Sequence, residues 1–230
     1  MSFFEKITDG LKLYEVLMLG FGSLMFIVLL ILLVLFAVRK TPLKQLLLYF
    51  GIAVLMLGWP SIQKIKVDDT GVEMEKAAQQ YAEKPTEENK KKVADLVRQL
   101  KERGVKNPDV VTKMAMAQFT IGKTRESLET IETLPAKEKQ DNSIKQLVSS
   151  IKLSDSLQAQ LHVVQNNAAD SNEIRKLNEL HSHAVNLPIK SPQLDSSIHV
   201  ANQKITEYQR LNPRVKISSF NTHLVTPDHQ

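Results

Sequence analysis

The chain contains no cysteine among its 230 residues. This absence excludes disulfide bonds, thiolate metal sites and cysteine nucleophiles. It does not indicate a compartment, since a cysteine-free protein needs no redox protection on either side of a membrane. Glycine is also sparse, and the eight glycines form neither the G-x-G-x-x-G pattern nor the P-loop pattern of nucleotide-binding proteins.

Recognisable catalytic and metal-binding patterns are missing as well. His181 and His183 are the closest histidine pair, but residues two apart on a helix point to different faces and do not easily share a metal. The other histidines are His162, His199, His223 and His229. No serine lies in a G-x-S-x-G elbow. We therefore expect no enzyme activity, no bound metal and no cofactor.

Dense charge of one sign is a further absence. The formal net charge is only +5, and beyond Gly58 the acidic and basic residues are interleaved. The one conspicuous run, EENKKK at 87–92, is typical of a solvated helical face. Since nucleic-acid binding requires a concentrated basic patch, the sequence predicts no nucleic-acid partner.

Two long apolar runs stand near the N-terminus. Residues 16–38 carry no charge, and a helix crosses the ~30 Å hydrocarbon layer in about 20 residues, so this run is long enough to span it. Residues 46–62 form a shorter run at the low end of the spanning range, where a buried soluble helix is the alternative. Tyr14 and Trp59 favour membrane insertion of both, because aromatic rings of this kind prefer the headgroup level. The first run is also too long for a cleaved signal peptide, whose apolar stretch covers only about 7–15 residues, so we expect it to be retained.

The short gap between the runs predicts a tight turn. Pro42 discourages helix continuation, and Arg39, Lys40 and Lys44 concentrate positive charge within residues 39–44. Positive residues in short loops stay in the cytoplasm, so the turn is predicted inside and both chain ends outside. Five lysines spread over the terminal sides favour the opposite orientation: Lys6, Lys12, Lys64, Lys66 and Lys76.

These features predict a two-pass integral protein of a plasma or bacterial inner membrane. After an N-terminal segment, 1–15, the first transmembrane helix covers 16–38, the turn 39–44 and the second helix 45–62. The soluble domain is expected on the extracytoplasmic side.

The rest of the chain predicts helix after helix, with almost no strand signal. A connector is expected at 63–71, a helical domain at 72–211 and a flexible tail at 212–230. The predicted helices of this domain cover 86–103, 108–122, 123–134, 141–166, 171–187 and 191–211, each bounded by proline, glycine or a capping side chain. The predicted fold class is all-α: a transmembrane hairpin followed by an antiparallel helical array.

One stretch of this domain, VTKMAMAQFTIGKTRESLETIETL at 111–134, resembles a tetratricopeptide repeat. The positions that carry the resemblance are Met114, Ala115, Gly122, Ser127, Ile131 and Leu134. The first two stand where the family has a leucine-glycine pair, the glycine lies at the turn, and the serine replaces a small alanine. The early aromatic residue of the family is missing, and the closing proline, Pro135, comes early. The resemblance implies a helical pair of the kind that stacks into a grooved surface.

The apolar runs contain no Asp, Glu, Lys, Arg or His, which argues against a pump or ion-coupled carrier acting alone. Small residues are placed for close packing instead: Gly51 and Gly58 share a face of the second helix, and Gly20 and Ser23 form a similar patch on the first. The favoured alternative is that these residues pack the two hairpin helices on each other. The other is contact with a membrane helix of a partner or of a second copy.

Taken together, the sequence predicts a membrane-anchored interaction or scaffold protein that performs no covalent chemistry. Its expected partners are the lipid bilayer and other proteins, with homo- or hetero-oligomers through the hairpin left open. Lys113, Gln118 and Arg125 are the predicted protein-binding residues beside the 111–134 helical pair. The alternative is an accessory subunit of a membrane complex, in which the transmembrane hairpin is the functional part.

Overall fold

The computed structural model describes residues 3–39, 44–166 and 170–213, and every regular element in these ranges is a helix. The helices are α1 (Phe3–Thr8), α2 (Leu13–Arg39), α3 (Lys44–Glu83), α4 (Glu87–Glu102), α5 (Pro108–Thr120), α6 (Thr124–Glu132), α7 (Asn142–Asn166), α8 (Ser171–Val185) and α9 (Pro192–Leu211). A 3-10 turn, Glu138–Gln140, precedes α7. The predicted all-α class is confirmed for these ranges.

Local side-chain chemistry sets several helix ends close to where the sequence predicted them. The Thr86 hydroxyl accepts the backbone N–H of Asn89 at 3.2 Å and caps α4. Pro108 occupies the first turn of α5, where its missing N–H leaves no helical bond unmade. Gly122 adopts φ +79° directly after α5, a left-handed conformation that favours glycine.

Helices α2 and α3 pack on each other, with little of their surface covered by the rest of the chain. Both are long and apolar enough to cross a membrane: in the candidate spans Leu13–Phe36 and Leu46–Glu83, only 11% and 22% of the apolar 18-residue stretch is buried. A core helix of a soluble domain is mostly buried. Between them the two helices enclose a small apolar core that includes Leu29 and Ala53, and Phe26 meets Phe50 edge-to-face with ring centroids 5.6 Å apart.

The second apolar helix extends beyond its predicted end. The sequence suggested a connector at 63–71, but α3 continues without a break for 40 residues to Glu83. Pro60 lies inside α3, although it removes one backbone hydrogen bond. Beyond Pro60, Val67 and Met74 lie on the face of α3 that is buried in the helical domain. This tertiary packing outweighs the local helix-breaking signals of Pro60 and Gly71.

The helical domain contains two apolar clusters that meet at α5. One cluster joins the outer half of α3 to α4 and α5, and the other joins α5 to α6, α7, α8 and α9. Met114 belongs to the first and the fully buried Phe119 to the second. Besides neighbours in sequence, α3 contacts α5, α5 contacts α7, and α7 contacts α9. The domain is therefore a row of stacked helical pairs.

Two predicted segments fall largely outside the described ranges. Lys40 and the rest of the turn up to residue 43 are not described, although α2 ends at Arg39 and α3 begins at Lys44. The predicted tail is described only at residues 212 and 213, which follow α9.

Candidate functional site

Gln118, one of the three predicted protein-binding residues, is fully buried. With the amide oriented so that both ends are satisfied, its nitrogen donates to the Thr130 hydroxyl at 2.7 Å and to the Glu126 carbonyl at 3.2 Å. Its oxygen accepts from Lys101 Nζ at 2.9 Å. Contrary to the prediction, Gln118 is not available to a partner in this structure, because it ties α4, α5 and α6 together internally.

Lys113 and Arg125 remain on the surface, in different surroundings. Lys113 Nζ lies 2.7 Å from a Glu75 carboxylate oxygen and links α5 to α3. Arg125 pairs with Glu129 on its own helix, with 3.0 Å between nitrogen and oxygen. Exposed ion pairs of this kind contribute little to stability, so both side chains can exchange their partner for another acidic group.

The close contact between α5 and α6 depends on small residues. Ala115 and Ser127 are both fully buried, and the Ser127 hydroxyl donates to the Ala115 carbonyl at 2.7 Å. These two positions are among those that carry the resemblance to a tetratricopeptide repeat. A larger side chain at either one would force the two helices apart.

The small residues of the hairpin lie differently from the favoured prediction. A Cβ atom at Gly20, Gly51 or Gly58 would meet nothing within 4 Å, so none of these glycines packs α2 against α3. Ser23 is half-buried. The glycine at the helix contact is Gly22, where an added Cβ would lie 3.0 Å from the Cβ of Met56.

A polar junction joins the hairpin to the helical domain, and no sequence pattern predicted it. Glu15, at the start of α2, is only 1% exposed. Its carboxylate accepts hydrogen bonds from Arg103 Nη1 at 3.1 and 3.3 Å, from the Lys12 backbone N–H at 2.8 Å and from the Tyr14 hydroxyl at 3.1 Å. Arg103 also donates from Nη2 to the Gln63 amide oxygen at 2.8 Å. One guanidinium thus holds α2, α3 and the end of α4 together.

A second set of contacts reinforces this junction. The buried Asp9 carboxylate accepts the backbone N–H groups of Lys106 and Asn107, in the loop between α4 and α5. Gly10 follows with φ +76°, and a Cβ there would lie 2.9 Å from Val67 Cγ1. The chain before α2 is therefore wedged between α3 and the α4–α5 loop, so the helical domain has a defined attachment to the hairpin.

Beside the junction, a cleft of about 530 Å³ opens between α3 and α4. Its basic lining residues are Lys12, Lys66 and Arg103, and Asp69 lies one turn beyond Lys66 on α3. The other acidic lining residues, Glu73 and Glu102, are paired with Lys92 and Arg98. Within the described ranges, neither the Lys12 nor the Lys66 ammonium has a carboxylate within 4 Å, and the Asp69 carboxylate has no basic partner. A second cleft of about 430 Å³ continues along the same two helices. With respect to the described residues, the first cleft thus offers unpaired charges of both signs.

No protein-family model, curated protein or solved structure matches this chain. In the part that the structure describes, no cluster of three or more histidine, aspartate or glutamate side chains could hold a metal ion. The described residues offer instead a polar junction, a charged cleft and the exposed surface of the stacked helices.

Proposed function

We propose that this protein is a two-pass membrane anchor that holds a helical, protein-binding domain at the membrane surface. The observation that carries the proposal is the uncovered apolar surface of α2 and of the first half of α3. Large apolar side chains on these helices are about half exposed or more, among them Phe21, Leu24, Val34, Leu48 and Leu55. In water such a surface would far exceed the apolar patches of ordinary soluble monomers, whereas lipid would cover it.

The junction end of this surface supports the same arrangement. Tyr14 and Trp59 lie at the junction end of the hairpin, with side chains 52% and 51% exposed. Rings of this kind suit the boundary between hydrocarbon and headgroups. Glu15 and Gln63 lie at the same level, and both are paired within the protein rather than exposed to lipid.

Membrane anchoring has a direct biochemical test. Washing vesicles with alkaline carbonate should leave the full-length chain in the pellet, because its apolar helices are buried in lipid. A matched chain that lacks residues 16–62 should move to the supernatant. Release of the full-length chain would contradict the anchor.

A protein-binding role is supported by the stacking of the helical domain. The contacts of α3 with α5, α5 with α7 and α7 with α9 resemble the serial contacts of helical repeat proteins, which bind partners along an extended face. The small-residue contact between α5 and α6 is consistent with a tetratricopeptide-like pair. Lys113 and Arg125 are the surviving candidates for contact with an acidic partner segment.

The partner can be sought with the intact chain in its own membranes. Lys113→Glu with Arg125→Glu should reduce recovery of a co-purified protein about tenfold or more, because two attractive charges become repulsive. Lys176→Glu with Arg210→Glu makes the same charge change on α8 and α9 and should leave recovery unchanged. Equal recovery with both pairs would exclude Lys113 and Arg125 from the interface.

We further propose that the 39–44 turn faces the cytoplasm and that the helical domain is extracytoplasmic, in a plasma or inner membrane. Protease accessibility of a tag after Gln230, in intact and permeabilised cells, reports the side directly. Replacing Arg39, Lys40 and Lys44 with glutamine should increase the fraction of chains in the opposite orientation, since these charges retain the turn inside. A tag that is protected in intact cells would refute the assignment.

The alternative role, an accessory subunit that acts through its hairpin, is favoured by one observation. The open surroundings of Gly51 and Gly58 leave a face on α3 where another membrane helix could approach closely. Replacing only residues 16–62 with an unrelated hairpin retains Glu15 and Gln63, and so preserves the junction. Loss of function in that chimaera would favour the accessory role, and survival would favour the scaffold.

A further inference from the structure

We propose that the cleft between α3 and α4 binds the headgroup of an amine-bearing phospholipid. The proposal rests on the membrane anchoring proposed above and adds a specific ligand to it. It depends on the position of the cleft relative to the membrane surface, and on two lysines and a neighbouring aspartate that have no ion-pair partner among the described residues.

The contacts at the junction determine where the cleft lies relative to the bilayer. Arg103 holds Glu15 and Gln63 at one level, and Gly10 lies against Val67. Lys12 lies between these two contacts and is therefore level with Lys66 on α3. Lys66 is four residues beyond the apolar run that ends at residue 62, about 6 Å along the helix. The headgroup layer occupies roughly 5–8 Å on each side of the hydrocarbon, so the mouth of the cleft opens into it.

The lysines supply the attraction for a phosphate. Lys12 and Lys66 both line the cleft, and neither has an ion-pair partner among the described side chains. The neighbouring Lys64 differs, since it lies 3.1 Å from Asp68. Ammonium groups are compact point charges that suit a phosphate with freely rotating oxygens. Arg103 is already engaged with Glu15 and Gln63, and forms the wall of the cleft.

The acidic side of the cleft selects the kind of headgroup. Asp69 lies one turn beyond Lys66 and is unpaired among the described residues, whereas Glu73 lies 3.2 Å from Lys92. A primary ammonium a few bonds beyond the lipid phosphate can donate hydrogen bonds to the Asp69 carboxylate. A glycerol headgroup offers Asp69 only neutral hydroxyl donors, which bind a carboxylate more weakly than an ammonium does, and a choline has no N–H to donate to it.

Native mass spectrometry of the full-length detergent-solubilised protein tests the proposal, with phosphatidylethanolamine or phosphatidylglycerol of identical chains added. Wild-type protein should retain phosphatidylethanolamine, and Lys12→Gln with Lys66→Gln should lower its occupancy about tenfold or more, because each charge-assisted hydrogen bond is a substantial part of such an affinity. Asp69→Asn should remove the preference over phosphatidylglycerol and leave binding of the phosphate. Lys64→Gln with Lys76→Gln is the matched control. It removes the same number of positive charges, from positions on α3 outside the cleft, and should retain the lipid as the wild type does.

Three results would overturn the proposal: equal retention by wild type and the Lys12/Lys66 variant, tighter binding of phosphatidylglycerol than of phosphatidylethanolamine, or an adduct with the mass of phosphate alone. Thermal unfolding of each variant in the same detergent shows whether a lost lipid reflects a lost fold. Carbonate extraction of the same variants separates the two hypotheses. A chain that stays in the pellet but binds no lipid retains its anchor and refutes only the headgroup site.

Discussion

At the scale of single residues, one buried hydroxyl stands out. Ser150 Oγ lies inside the helical domain on α7, fully buried and without a hydrogen-bond partner in the described structure. An unpaired buried hydroxyl is unfavourable, and alanine also has the higher helix propensity. Ser150→Ala should therefore raise the free energy of unfolding by up to about 1 kcal/mol. Thermal unfolding of the full-length protein in detergent measures the change.

Ser127 provides the matched comparison, because the same substitution removes a satisfied hydroxyl. Ser127 Oγ donates to the Ala115 carbonyl across the α5–α6 contact. Ser127→Ala should lower the free energy of unfolding by about 1 kcal/mol. If Ser150→Ala destabilised the protein as much as Ser127→Ala does, the hydroxyl of Ser150 would have a partner in solution.

His181 provides a prediction about pH. Burial lowers the pKa of His181, because the charged imidazolium is poorly solvated in its half-buried site on α8. In the unfolded chain it titrates near its ordinary value of about 6.5, so the unfolded state binds the proton more readily. Its neutral form stabilises the fold fully above that pH, and this contribution is lost as the pH falls toward the lower folded pKa.

The unfolding midpoint should therefore decrease less between pH 7.5 and pH 5.5 in His181→Gln than in wild type. His183→Gln, which replaces an exposed histidine on the same helix, should retain the full decrease. Identical pH profiles for His181→Gln and wild type would show that His181 titrates alike in the folded and unfolded states.

Single residues also show the limit of reading burial from sequence. Gln118 is polar and lies in a helix whose apolar positions were easily recognised, so it was predicted to bind a protein partner. Its amide is buried because Thr130, Glu126 and Lys101 satisfy it. These partners lie 8 to 17 residues away along the chain, on two other helices, and no local pattern identifies them.

At the scale of helices, the contact between α2 and α3 depends on Gly22 rather than on the predicted Gly20, Gly51 and Gly58. A methyl group at Gly22 would approach the Met56 Cβ to 3.0 Å and the Leu57 backbone nitrogen to 3.3 Å. Gly22→Ala should therefore separate α2 from α3 and destabilise the hairpin by about 1–3 kcal/mol. Gly51→Ala, in the second helix with nothing within 4 Å, is the control and should not reduce stability. Denaturation in mixed detergent micelles measures both, and equal effects would place the helix contact elsewhere.

Helix ends that rest on local chemistry were predictable, and the continuity of α3 was not. Pro108, Gly122 and the Thr86 cap act on their immediate neighbours, so their effects can be read from the sequence. Pro60 and Gly71 carry equally strong signals for a break. They are overridden because the buried face of α3, with Val67 and Met74, packs on helices that follow later in the chain.

At the scale of the whole molecule, Arg103 connects the part proposed to lie in lipid with the part outside it. Arg103→Met would leave the Glu15 carboxylate buried without its cationic partner, and should lower stability by about 2–4 kcal/mol. Adding Glu15→Gln should recover part of that loss, because the uncompensated charge is then removed. Unfolding of both variants in detergent measures the coupling. If Arg103→Met alone were as stable as wild type, this junction would not hold the two parts together.

The sequence could not predict this junction, since Glu15 and Arg103 are 88 positions apart. Glu15 resembled an ordinary charge at the start of an apolar run, and Arg103 an ordinary residue at the end of a helix. That two apolar helices precede a series of more polar helices was visible in composition alone. How the two are attached depends on long-range pairing, which composition does not contain.

In the proposed anchor, the unbroken α3 is a lever with one end in the bilayer. Its outer part, beyond residue 62, is about 30 Å long, so a change of roughly 10° in hairpin tilt displaces its tip by about 5 Å. Thin membranes tilt long apolar helices more than thick ones do. The same proposal therefore predicts that membrane thickness sets the angle between the stacked helices and the membrane surface.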